Sequence, residues 1–331
     1  MTKPKVYVTR ELAPEALDMI REVAKMKLWT AEFPMPYETL LEQVKDIDGL
    51  LCLVNDKVDA TLMDAAPQLK VISNYAVGYD NIDIAEATKR GIPVGYTPGV
   101  LSETTADFAF ALLMAAVRRV AEANRYVRNG LWQSPWEPWT LLSQDIHHST
   151  LGIVGLGRIG TEVARRAKGF KMHVLYHDKI RREDAEKELG VEYVATLSEL
   201  LSRSDFISLH VNLTEDTRKM IGATEFSMMK PTSTLVNTSR GPVVDQKALY
   251  KALKSGQIAA AAIDVSEVEP IPMTDPLLTL ENIIITPHIA ATSIAASTKV
   301  AIMAAANLIA GLRGEVLPNC INPEVFNKGA R

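Results

Sequence analysis

The stretch "TLGIVGLGRIG", residues 150–160, constrains this chain more than any other. A β-branched run ends at Val154, a helical pattern starts near Arg158, and Gly155, Gly157 and Gly160 stand at the join. The spacing matches G-x-G-x-x-G in the context where it has a mechanism, between a strand and a helix. The first glycine permits a tight turn, the second lets backbone approach a pyrophosphate, and the third lets the helix pack closely on the strand. Leu156, Arg158 and Ile159 complete the loop and the helix start, whose unpaired N–H groups and partial positive charge favour an anion. The next strand pattern, "MHVLYHD", ends in Asp178, where a carboxylate accepts both ribose hydroxyls of an adenosine. A tight turn beside a surface aspartate is the plainer alternative, and strand, glycines, helix and acid together outweigh it. A dinucleotide is the expected ligand.

The rest of the chain has the same alternating character. "KVYVT", "GLLCLV", "KVISN" and "GIPVGY" punctuate helical patterns before Pro98. From Thr150 onward, "TLGIVG", "MHVLYHD", "DFISLHV", "STLVNTS", "IAAAAIDV" and "NIIITP" do so again. Such alternation predicts parallel sheets with crossover helices. Two blocks in 331 residues also agree with the size at which single cores stop growing. Between them the pattern predicts one long helix from Ser102, its N-cap, to about Asn129, stopped by Gly130. The tryptophan- and proline-rich "GLWQSPWEPWTLLSQDIHHS" follows, and a last helix is predicted over about 291–312.

Bulk properties narrow the function classes. With 47% hydrophobic and 23% charged residues the chain is not largely disordered. A net charge of -4 offers no basic face for nucleic acid. The longest apolar run, residues 108–117, falls short of the ~20 residues of a membrane span, and "MTKPKVYVTR" carries no apolar targeting segment. Cys52 and Cys320 are too few for a disulfide framework and predict a reduced, cytoplasmic protein.

A dinucleotide site does not specify a reaction. Three later stretches do. "LVNTSRGPVVD" places Arg240 just past a buried strand, "AAAIDVSEVEP" places Asp264 and Glu269 past another, and "IIITPHIA" places His288 past a third. Ligands of parallel sheets bind outside the carboxyl ends of strands, where all these charges fall. Singly each has an ordinary explanation as a surface or turn residue. Together they suit hydride chemistry on a keto acid. Arginine forks onto a carboxylate, histidine delivers a proton to the carbonyl oxygen, and a glutamate bonded to that imidazole orients it and favours its protonated form.

These stretches, with "NYAVGYDNIDI" and "TADFAFALLMAAVRR", resemble the D-2-hydroxyacid dehydrogenases over nearly the whole length, and within them most of all the glyoxylate/hydroxypyruvate reductases. The resemblance implies an α/β fold of two Rossmann-like domains with parallel sheets and an active site in the cleft between them. It implies a discontinuous substrate domain, 1–98 and 291–331, and an NAD-binding domain, 99–290. It assigns Arg240, Glu269 and His288 as the catalytic trio and Asp264 to the nicotinamide carboxamide. Thr105 falls near the nicotinamide ring, and His210, Thr217, Thr238 and Ser239 in loops lining the cofactor. Val77 and Gly78 fall in the loop whose backbone N–H groups hold the substrate carboxylate, and Leu53 falls at an apolar position beside the substrate. A small apolar site near Leu53 and Val77 suits a short substituent. His147, His148, His173 and His177 match no functional position.

Asp178 favours NADH over NADPH, whose 2′-phosphate it repels, although Lys179, Arg181 and Arg182 stand beside it. An NAD-sensing scaffold on the same fold is the rival class, as is a dehydrogenase of another D-2-hydroxy acid. Trp132, Trp136 and Trp139 either cover the base of the cofactor domain or belong to a subunit interface. The apolar "FAFALLMAAV" suggests such an interface, and family members dimerise through this region. The expectation is a homodimer in which Trp139 closes the partner's substrate site beside Leu53.

Overall fold

A computed structural model describes residues 3–31 and 33–329. The chain separates into two compact units, one reaching to Leu101 and resuming at Ser293, the other Ser102–Thr292. The crossings thus lie three and two residues beyond those expected, at the ends of helices.

The first unit holds a parallel sheet of β1 (Lys5–Val8), β2 (Lys25–Leu28), β3 (Gly49–Cys52), β4 (Val71–Asn74) and β5 (Val94–Gly95), ordered β2-β1-β3-β4-β5. Successive side chains alternate between its faces. Val6, Val8, Leu51 and Val71 pack with Ala301, Ala304 and Leu308 of the helix Ile294–Leu312. Tyr7, Leu50, Cys52 and Ile72 pack on the other side. That helix is long and apolar enough, by length and composition, to cross a bilayer, but half of it is buried inside this unit. Asn307 lies in it fully buried, giving its Nδ2 to Tyr96 O at 2.8 Å and accepting from Asn319 N at 3.0 Å. Both cysteines are free thiols.

The second unit holds β6 (Thr150–Val154), β7 (His173–His177), β8 (Glu192–Tyr193), β9 (Phe206–Leu209), β10 (Thr234–Asn237), β11 (Ala260–Ile263) and β12 (Ile283–Ile285). All pairings are parallel, in the order β12-β11-β10-β9-β6-β7-β8. Strand order reverses between β6 and β9, the switch point where such sheets take their ligands. Tyr176, Phe206, Val236 and Ala262 face one core, and Leu175, Ile207, Leu235 and Ala261 the other. Both faces are covered, which is why these strands read as unbroken apolar runs.

Four expectations need correction. The long helix is two, Ser102–Val117 and Val120–Arg128, and Ser102 is its first residue rather than its cap. Arg119 breaks it with φ 54°, held there by both carboxylate oxygens of Glu122 and by Leu142 O. Second, "FAFALLMAAV" is largely covered by its own unit, since Phe110, Leu112, Leu113 and Val117 lie in its core. The tryptophans, third, are largely exposed rather than packed as a cover: Trp132, Trp136 and Trp139 are 60, 77 and 80% exposed. The last helix also starts three residues later than expected, capped by Ser293 Oγ.

Asn307 supplies the test of the first unit. Asn307→Leu keeps the branched shape but leaves the carbonyl of Tyr96 and the amide of Asn319 without a partner. The expected cost is about 1–3 kcal/mol, read as a lower urea midpoint with an unchanged slope.

Candidate active site

The glycine turn follows β6. Gly155 has φ +90°, and a Cβ there would lie 2.7 Å from the carbonyl oxygen of His210, which follows β9. Only glycine lets the two switch-point loops approach so closely. A Cβ on Gly160 would meet Gly155 O at 2.2 Å, so the third glycine seats the helix Arg158–Gly169 on the turn. Gly157 caps that helix without a side-chain partner, and its missing Cβ faces open space. Free backbone donors beside room for a ligand fit a dinucleotide pyrophosphate.

Asp178 Oδ2 accepts from Leu156 N at 2.7 Å, tying the acid to the glycine turn. Two buried polar atoms at neighbouring strand ends have no partner among the described residues: His210 Nδ1 and Thr238 Oγ1. Burial lowers the His210 pKa to about 4, so its ring is neutral near pH 7, with Nε2 2.8 Å from Ser208 Oγ. Orphaned groups at a crevice suit a bound cofactor, because unsatisfied buried polar atoms are costly otherwise. Thr217 differs: its hydroxyl closes the 212–217 turn, giving to Asn212 O and accepting from Thr214 N. Ser239 Oγ bonds Asn237 Oδ1, and Thr105 is buried in the helix Ser102–Val117.

Arg240, Glu269 and His288 come from the loops after β10, β11 and β12, three adjacent strands. His288 Nδ1 lies 2.7 Å from Glu269 Oε2. Burial pushes the Glu269 carboxyl up, but the hydrogen bond and charge of His288, the Ser266 amide and the Arg240 charge outweigh it, holding Glu269 below its usual range. Glu269 is therefore the acceptor and His288 Nδ1–H the donor. His288 has φ 56°, uncommon for a residue with a side chain.

Asp264 imposes that turn. It is 1% exposed, and its carboxylate accepts from Thr286 Oγ1 at 2.5 Å, Ile289 N at 3.0 Å and Ala290 N at 2.7 Å. Its own carbonyl accepts from His288 N at 2.8 Å. The nicotinamide contact assigned by resemblance thus belongs to a residue that first clamps the histidine turn. Sequence reading missed Thr286, and it missed Ser266, whose amide donates to Glu269 Oε1 at 3.2 Å. It also missed Gly241. A Cβ there would sit 1.9 Å from Ser266 O, so the backbone carrying Arg240 presses directly on the backbone carrying Glu269. Asn237 steadies the first of these loops through Nδ2–H to Arg240 O at 3.0 Å.

Three of the remaining substrate assignments lie in the first unit. Leu53 follows β3, its amide donating to the buried carboxylate of Asp56 at 2.8 Å. Val77 and Gly78 follow β4 in a loop tied by Asn74 Nδ2 to Gly78 O at 2.9 Å. Trp139 stands on the exposed loop of the second unit.

Residues 110–290 match the family model of the D-isomer specific 2-hydroxyacid dehydrogenase NAD-binding domain. A glyoxylate reductase of Korarchaeum cryptofilum is 59% identical over 98% of this chain and 97% of that one. The crystal structure of the TT0316 protein of Thermus thermophilus is 42% identical, with a TM-score of 0.90 over 96% of this chain and 99% of that one. An NADPH-dependent glyoxylate/hydroxypyruvate reductase of Sinorhizobium meliloti, solved with NADP and malonate, is 31% identical, with a TM-score of 0.85 over 98% of each chain.

The Gly241–Ser266 contact yields a test. Gly241→Ala must push two backbones apart, at an expected cost of roughly 1–3 kcal/mol. It also moves Ser266 away from Glu269. Thermal denaturation reads the first effect. Loss of the hydrogen-bonded imidazole N–H proton resonance of His288 reads the second, and its persistence at full stability would refute the coupling.

Proposed function

This chain belongs to the D-isomer-specific 2-hydroxyacid dehydrogenase family, and from that premise we propose that it reduces a small 2-keto acid, glyoxylate or hydroxypyruvate, to the 2-hydroxy acid. It is an NAD(P)-dependent oxidoreductase, and the bound nicotinamide supplies the hydride. The single observation that carries the reading is the 2.7 Å contact between His288 Nδ1 and Glu269 Oε2, beside Arg240 on neighbouring strand ends. With Nδ1 given to Glu269, Nε2 is the ring atom that protonates the substrate carbonyl oxygen. Arg240 takes the carboxylate with its planar fork. Leu53, Val77 and Gly78 are included as substrate-binding residues on the strength of the resemblance.

NADH is the preferred cofactor in this reading, supported by the place of Asp178 against the glycine turn. A cytoplasmic location is supported by the two free thiols. A homodimer is supported by exposed apolar surface on one continuous stretch: the helix Val120–Arg128 buries none of its residues, and Leu131, three tryptophans and Leu142 follow it.

The reaction is tested by NADH oxidation with glyoxylate. His288→Ala lowers turnover by roughly 10²–10⁴-fold while NADH binding, followed by its fluorescence, persists. Near-normal turnover would refute the role of His288. The Glu269 pKa is depressed, so its pairing with His288 is complete above the usual glutamate range and is lost as pH falls through the lowered value. Glu269→Gln removes the anion that favours the protonated ring, and the profile for reduction moves to lower pH. An unmoved profile counts against the pairing.

The interface has its own test. Light scattering is expected to give a dimer. Trp139→Ala weakens discrimination among keto acids by about 1–3 kcal/mol, the scale of altered apolar pocket contacts, without dissociating it. A monomer, or an unaltered substrate profile, would refute this arrangement.

A further inference from the structure

Three cations follow Asp178, and each of them has an acid. Lys179 Nζ lies 2.6 Å from Asp216. Arg181 grips Glu186 with Nε and Nη2 at 2.9 and 2.8 Å, its guanidinium 5.5 Å from the centre of the Tyr193 ring. Arg182 grips Asp184 with Nε and Nη2 at 3.0 and 2.8 Å.

Of the three, Arg182 is the one bonded to the glycine turn. Its Nη1 donates to Leu156 O at 3.1 Å, while the amide of the same Leu156 donates to Asp178. One residue of the turn therefore carries the ribose-binding acid on its N–H and Arg182 on its carbonyl. The backbone of Arg182 is fixed as well. Its N–H donates to the hydroxyl of the buried Tyr176 at 2.8 Å, and that hydroxyl donates to Glu186 at 2.7 Å. A guanidinium at this place is what the 2′-phosphate of an NADP-type adenosine would seek. Here one edge of the fork, Nε and Nη2, is already committed to a carboxylate.

We propose that Asp184 is a specificity-determining residue that works with Asp178 to disfavour a 2′-phosphate, by neutralising Arg182 at the ribose end of the site. The proposal rests on the NADH reading above and deepens it. An exposed pair of this kind holds only weakly, so Asp184 acts mainly through its charge. The hydrogen bonds from Arg182 hold its pKa at about 2, and it is ionised throughout the working range. Removing that charge turns Arg182 from a neutralised cation into a phosphate ligand.

The test uses the full chain, with NADH and NADPH as substrates and 5′-AMP and 2′,5′-ADP as binding probes in calorimetry. Asp184→Asn should raise the NADPH-to-NADH ratio of kcat/KM, and the preference for 2′,5′-ADP over 5′-AMP, each by at least about fivefold, the scale of one like-charge contact in water. The double variant Asp184→Asn with Arg182→Gln should return both ratios toward their starting values. Unchanged ratios in Asp184→Asn, or a gain that survives in the double variant, would overturn the role of Asp184 and leave the NADH reading standing. An unaltered chain that already binds 2′,5′-ADP more tightly than 5′-AMP would overturn the NADH reading, and this proposal with it.

Discussion

Parallel pairing puts Asn237, Ile263 and Ile285 in one row across β10, β11 and β12. The three strands must then release their chains at the same level and on the same edge of the sheet. Arg240 and His288 each come three residues past that row, and Asp264 one. No long-range folding of loops is needed to gather the charges, because the hydrogen-bond register has already done so. In an antiparallel sheet the same sequences would send the middle loop to the opposite edge.

Register brings the residues near each other, and backbone contact fixes them. Gly241 lies against Ser266, Ser266 holds Glu269, and Glu269 holds His288. From the other side, Asp264 binds the histidine turn through one carbonyl and three carboxylate bonds. The imidazole is thus set by two independent paths, one through its ring and one through its main chain. Such redundancy is what a positive φ at a residue with a side chain requires to persist.

Much of this was legible in advance, for a physical reason. Central strands buried on both faces leave apolar runs such as "TLVN", and their carboxyl ends are marked by the charges that follow. Two of the edges, β2 and β8, were not legible. β2 is "KMKL", whose lysines keep an edge strand from pairing further, and β8 is only two residues long. Both look like loops. The helix break at Arg119 was hidden too, because "VRR" carries neither glycine nor proline, and its cause is an ion pair with Glu122. Asp264 read as a ligand-contacting acid because nothing local announces that Thr286, Ile289 and Ala290, more than twenty residues on, will turn back to it.

The first unit is written in two pieces, and that has a consequence for synthesis. Val6, Val8, Leu51 and Val71 leave the ribosome early, but Ala304 and Leu308, which cover them, follow only after the whole second unit. About 190 residues intervene, or roughly 10–40 s of elongation at common rates. For that interval one apolar face of a five-stranded sheet is covered only in part, by the helix Pro14–Val23. The nascent chain therefore completes its later unit before its earlier one, and the N-terminal sheet is the surface that chaperones would meet.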